Sequence, residues 1–288
     1  MKTTHTDTPP SAAVRAARQE IYRHLSLCAT DPRAERWPGL TEPDLQQAMR
    51  LGTKTLEQVA GSPTGGLAPG ELGPEYLDPS ALLSFISKAT RDELAKVHDQ
   101  IYGLVLSKEC PPYESEYSSQ TFSVSRSHRM ADVAGFYRAF GVEPSDDNRE
   151  RPDHIALELE FMAWLIAKET RALEAGGAEA EEHSEICRDA QKKFFAEHLG
   201  WWLPAFAMAL RRKAGDASEP PRAAENFHIA LGSVLAAFTA VERAVLDVEP
   251  PQDLAPRNPL PTEPTEPDES CAGCEVPDIP ETTSLPPG

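Results

Sequence analysis

Positive charge is scarce in this sequence: 28 lysines and arginines stand against 46 aspartates and glutamates, a formal net charge of −18. Such a chain repels phosphate backbones and anionic bilayers at long range and steers cationic partners toward itself. Nucleic acid is therefore not an expected partner, nor is stable membrane insertion. Long hydrophobic runs are missing too, since no window holds the roughly 20 consecutive apolar residues of a membrane span. The polar segment 1–10 lacks the apolar centre of a secretory signal. Cysteine is sparse and odd in number: Cys28, Cys110 and Cys187 are scattered, and only Cys271 and Cys274 lie close together. That pattern excludes a disulfide framework and suits a reducing cytoplasm. The glycine loops that cradle phosphates, the HExxH helix and the GxSxG elbow are all absent. No catalytic residue is assigned on these grounds, and no cofactor is expected.

What is present falls into three kinds of segment. Residues 247–288 hold ten acidic residues, one arginine and 11 of the 27 prolines, and so carry half of the net charge. With little to bury, this segment is expected to be a disordered acidic tail. The Gly- and Pro-rich stretch 61–74 reads as a surface loop. Elsewhere apolar residues recur at helical spacing, as in Val14, Ile21 and Leu25, or Leu94, Val97 and Ile101. Thr90 three residues before Glu93 predicts a capping box. Gly141 predicts a stop, Pro152 the first turn of a helix reaching about Glu174, and Gly200 and Pro204 a bend in a helix over 179–212. A last helix is predicted over 221–246. The fold class is all-α, a single-domain helical bundle over 11–246 between a flexible N-terminus and the tail.

Three constellations could bind metal. Asp146-Asp147-Asn148-Arg149-Glu150 has the carboxylate pairing that suits magnesium on a diphosphate, but it lacks a second acidic cluster and lies between a helix stop and a proline. His183 and Cys187 are one helical turn apart, without two further ligands at ligand spacing. Cys271 and Cys274 form a C-x-x-C pair compatible with zinc, an iron-sulfur intermediate or a redox switch, set within the proline-rich tail.

The stretch 110–202 is richer. Pro111 and Pro112 stiffen an approach to Tyr113, Glu114 and Tyr117, whose rings suit either a groove wall or the cover of a helix end. Arg151-Pro152-Asp153-His154 opens a helix: Asp153 is placed to complement the helix dipole, and His154 titrates near neutrality. Glu158 and Glu160 flank a face bearing Phe161, Met162 and Trp164, and either can be simply a solvated charge.

Tyr113-Glu114-x-x-Tyr117, Met130 to Gly141, Glu150-Arg151-Pro152-Asp153-His154 through Met162, and Phe194 to Trp202 together resemble the cytoplasmic chaperones dedicated to the dimethyl sulfoxide reductase class of molybdoenzymes. That group includes the trimethylamine oxide and nitrate reductase assembly chaperones. The resemblance is densest over about ninety residues, extends more weakly from Arg15 to Leu246, and leaves the tail, its cysteine pair and the 61–74 stretch without counterpart. It implies an all-helical, non-enzymatic protein. Such a protein binds the twin-arginine leader and the apoprotein of a catalytic subunit until the molybdopterin cofactor is inserted, with proteins of molybdenum cofactor biosynthesis as further partners. Asp153 and His154 match the family's P-D-H motif, and Pro112 and Tyr113 look like its proline-aromatic leader contact. Glu114, Tyr117, Tyr137 and Glu158 are motif neighbours carried as further leader- or client-binding candidates. On that reading Asp153→Ala slows association and Tyr113→Ala speeds release. The rival readings are a magnesium enzyme using the 146–150 cluster and a permanent structural subunit of an oxidoreductase complex.

Overall fold

The computed structural model describes residues 10–251 apart from 60, 62, 64, 104–106, 119–122 and 146–149. Among the described residues the chain is built of helices joined by turns and loops and has no strand beyond one isolated bridge, between Tyr113 and His154. The helices are α1 (Ala12–Cys28), α2 (Pro43–Val59), α3 (Ser80–Lys88), α4 (Arg91–Tyr102), α5 (Ser123–Ala139), α6 (Ile155–Ala175), α7 (Ala178–Phe194), α8 (Gly200–Lys213) and α9 (Phe227–Leu246). In packing, α1 lies between α2 and α6, α6 continues the layer to α7, and α8 pairs with α9.

Local signals set most boundaries. The predicted capping box at Thr90 and Glu93 is present with both hydrogen bonds, and Gly141, at φ +72°, follows the end of α5. The predicted bend near Gly200 is a π turn, Phe195–Leu199, between α7 and α8. A π turn leaves room for the irregular hydrogen bonding that Pro204, inside α8, imposes. Two predicted starts are corrected. The last helix begins at Phe227, where the Asn226 side chain accepts from Ile229 N, rather than at 221. Pro152 lies outside α6, in a turn closed by His154 N on Arg151 O, because residues 112–114 bond to the backbone of 153–155 and delay the start of the helix.

α9 is the centre of the core: Leu231, Val234, Leu235, Phe238 and Val241 are all buried. Its length and mean hydropathy of 1.7 would allow a membrane crossing, which sequence inspection for unbroken apolar runs did not register, but 89% of that apolar window is buried inside the protein. The charges on α9 are neutralised at close quarters. Glu242 receives Arg18 of α1 through Nε at 2.8 Å and Nη2 at 2.6 Å, and the Tyr22 hydroxyl at 3.0 Å. Arg243 donates to Glu71 at 2.9 and 2.7 Å. This last pair changes the picture of the 61–74 stretch: it is irregular as expected, yet Ala68, Glu71 and Leu72 are buried and Leu72 N donates to Ala236 O. Most of the predicted tail, Cys271 and Cys274 included, lies outside the described residues, as do residues 1–9 and the acids of the 146–149 cluster.

Candidate functional site

The segment before α5 and the segment before α6 meet as two short extended pieces. Ile155 N donates to Pro112 O and Glu114 N to Asp153 O, both at 2.9 Å, with Tyr113 and His154 opposite each other. This pairing turns the predicted motif inward. His154 serves as the N-cap of α6: its Nδ1 accepts from Ala156 N at 3.2 Å. Burial lowers the His154 pKa to about 4, so the ring is neutral at physiological pH and able to accept that bond. Asp153 is fully buried. Its carboxylate takes Arg151 Nε at 2.9 Å, Arg151 Nη2 at 2.7 Å and Ser115 N at 3.1 Å. Arg151 also reaches Glu116 at 3.1 Å, and its guanidinium carbon stacks 4.3 Å from the centre of the Tyr113 ring. An incoming arginine can reach the Asp153 carboxylate only if Arg151 gives it up.

Pro112, Glu114, Tyr117, Tyr137 and Glu158 are buried as well, and only Tyr113 is half-buried, its hydroxyl donating to Glu150 at 2.7 Å. Glu114 accepts from Trp201 Nε1 at 2.8 Å and Arg129 Nη1 at 3.0 Å, and lies 3.1 Å from His198 Nδ1. Glu158 accepts only from Trp202 Nε1, at 3.1 Å, and its other oxygen has no partner. Burial, reinforced by the neighbouring Glu114 and Asp153 carboxylates, pushes its pKa well above the ordinary 4.5, which favours the protonated acid in the folded chain. Tyr117 packs on Trp202 and Phe206, while Tyr137 packs on Phe161 and donates its hydroxyl to Pro152 O at 2.9 Å. These candidates therefore do converge, as one polar knot joining the two extended pieces to α5, α6 and α8. Sequence reading did not single out Arg151, Arg129 or His198 as members of it. The Trp201-Trp202 doublet, two buried-type rings with donors to satisfy, was the available signal.

Beside the knot lies open space. A cavity of about 820 Å³ runs between the Thr30–Arg36 segment, residues 142–145 and α6, and a second of about 670 Å³ continues along α1, α2 and α6. Both touch Arg36 and Glu160, which pair at 2.6 Å. The wall from α6 is Leu157, Glu160, Phe161 and Trp164, spaced so that all four lie on one helical face. Trp164 is 42% exposed. Of the predicted site residues, Tyr137 alone lines this groove. Among the described residues no three His, Cys, Asp or Glu side chains cluster as metal ligands. His183 and Cys187 are not a pair, the first being exposed and the second buried.

These features define the class: an all-α bundle with a buried polar knot beside an open amphipathic groove. Residues 72–208, which hold the whole knot and the α6 wall, match the family described as nitrate reductase delta subunit. The chain is 41% identical over 81 residues to the chlorate reductase assembly chaperone protein of Ideonella dechloratans, covering 28% of this chain and 39% of that protein. It is 31% identical over 123 residues to the selenate reductase assembly chaperone protein of Thauera selenatis, covering 43% and 55%. To the chaperone protein TorD of Vibrio cholerae it is 32% identical over 97 residues, covering 33% and 40%. Over this central part the chain is thus similar to proteins of the TorD/NarJ family of reductase assembly chaperones. The matches span about two fifths to just over half the length of those relatives.

Proposed function

We propose that this protein is a dedicated, non-enzymatic assembly chaperone for the catalytic subunit of a molybdopterin-containing reductase. It works in the cytoplasm, holding the twin-arginine leader and the apoprotein until the cofactor is in place. The observation that carries this reading is where the similarity falls: likeness to two reductase assembly chaperones and to a chaperone protein TorD accompanies a family match over 72–208, the part of the chain that builds the knot and one wall of the groove. An acidic protein with an aromatic-sided groove complements a leader made of two arginines and an apolar stretch. Burial of the apolar stretch, at about 25 cal/mol per Å², supplies most of the affinity. Exposed ion pairs, worth about 0.2–1 kcal/mol each, mainly set encounter and specificity.

Calorimetric titration with the leader peptide of the cognate reductase subunit, beside a version with both arginines changed to lysine, tests the reading. Tight binding of the first and much weaker binding of the second is the expected outcome. No binding of either peptide removes leader recognition. A second reading, a permanent subunit of an oxidoreductase complex, is favoured by the wording of the matched family's description. It predicts copurification with the mature enzyme at fixed stoichiometry, whereas a chaperone leaves before maturation is complete.

A further inference from the structure

We infer that the leader's cationic and apolar segment docks in the trough along α6, formed by the cavity against the Thr30–Arg36 and 142–145 segments and its continuation along α1 and α2, with Glu160 and Trp164 as its principal contacts, rather than on the Asp153-His154 motif. This inference rests on the leader-binding reading above and places it on a surface. The motif offers a ligand little: Asp153 is fully buried and saturated by Arg151 and Ser115, and His154 is spent capping α6. The groove offers the complementary chemistry. Its ionisable wall residues are Arg23, Arg33 and Arg36 against Glu20, Glu35, Glu42, Asp44, Glu143 and Glu160. All three arginines already have acidic partners: Arg23 with Glu20, Arg33 with Asp31 and Asp99, and Arg36 with Glu160. The surplus is negative, which suits arginine and rejects an acidic guest. Apolar contact comes from Leu157, Phe161 and the exposed Trp164. A large, part-exposed ring beside an acidic surplus is the kind of anchor that interfaces use, and the Lys168 ammonium already lies over it at 5.6 Å from its centre, where a guest's apolar residues would have to displace it.

The Arg36–Glu160 pair stands where the two cavities meet, with side chains 34% and 50% exposed. A pair so wet costs little to open. A guest guanidinium can replace Arg36 on Glu160, joining the cavities into one trough while the following apolar residues cover Trp164. The motif then acts at one remove: the bridge at Tyr113 and His154 and the Tyr137 hydroxyl on Pro152 fix the start of α6, and so the angle at which its four groove residues face the trough.

The test uses the full chain and a dye-labelled peptide carrying two adjacent arginines followed by an apolar run, with binding read by anisotropy and indole exposure by iodide quenching. Trp164→Ala and Glu160→Lys, both exposed changes whose folding is checked by circular dichroism, should each weaken binding about tenfold or more, the cost of losing one anchor. Tyr113→Phe should stay within about twofold of the unaltered protein, well inside a single anchor's worth. Peptide should also shield the unaltered protein from iodide but leave quenching of Trp164→Ala unchanged. If the peptide binds while both groove variants retain the original affinity, the groove assignment falls and leader recognition stands. If the unaltered protein does not bind the peptide at all, leader recognition falls and takes the groove assignment with it.

Discussion

Asp153 shows how burial changes what a side chain can do. Spacing places it as an acid at a helix start, available to a partner; in the folded chain it is the internal ligand of Arg151 and of the Ser115 amide. Removing such an acceptor strands charge-assisted donors, so Asp153→Ala should lower unfolding free energy by about 2–3 kcal/mol, read as a lower urea midpoint at unchanged m-value. A variant of wild-type stability would show the knot to be dispensable. Glu158 makes a prediction of opposite electrostatic character. Because burial raises its pKa, the folded protein keeps a proton that the unfolded chain releases. The stability this contributes is complete below about pH 4.5, the ordinary glutamate value, and is lost as pH rises through the folded value. Glu158→Gln mimics the protonated acid, so the variant should gain on the parent as pH rises from 4.5. Urea melts at several pH values that show a constant difference between the two would refute a protonated Glu158.

At the scale of elements, α8 and α9 approach closely, and a glycine allows it. A Cβ on Gly232 would lie 2.7 Å from Arg211 Cγ and 2.8 Å from Ala207 O, the second a backbone atom that cannot move alone. Gly232→Ala should therefore destabilise by about 1–3 kcal/mol through overpacking, against the small gain that alanine gives an unstrained helix. A thermal melt showing a raised midpoint would mean the helices separate freely. The π turn between α7 and α8 rests on a glycine as well. Gly200 approaches Phe195 O so closely that a Cβ there would meet it at 3.0 Å, and Trp202 beyond the turn is thereby delivered to Glu158.

Across the whole molecule the buried histidines set the acid limit. Burial lowers His24 and His154 from 6.5 to about 4 and His228 to about 3. Each is neutral when folded and protonated when the chain unfolds below pH 6.5, so the stability present above 6.5 is lost as pH falls through the folded values. Each contributes a slope of up to about 1.4 kcal/mol per pH unit. His24, neither of whose ring nitrogens has a partner, is the one to replace: His24→Leu should flatten the decline in stability between pH 6.5 and 5. An unchanged slope would place the acid sensitivity elsewhere.

Helical periodicity, the capping box at Thr90 and the stop at Gly141 were legible one residue at a time, because amphipathic spacing and caps are local properties of the chain. The resemblance to the assembly chaperones was legible for the same reason, the motifs that carry it being short and contiguous. The direction in which those motifs face was not. Pro112 to Glu114 meets Asp153 to Ile155 across some forty intervening residues, and only that pairing turns Asp153 and His154 inward. Glu158 and Glu160 looked alike as charges on one helix; packing of Trp202 buried the first, and solvent beside Arg36 kept the second. Composition and periodicity determined that this is an acidic all-α chain, and its short motifs carried a resemblance to the assembly chaperones. Which of its charges are buried and structural and which stay exposed was decided by tertiary structure, because burial depends on neighbours distant in sequence.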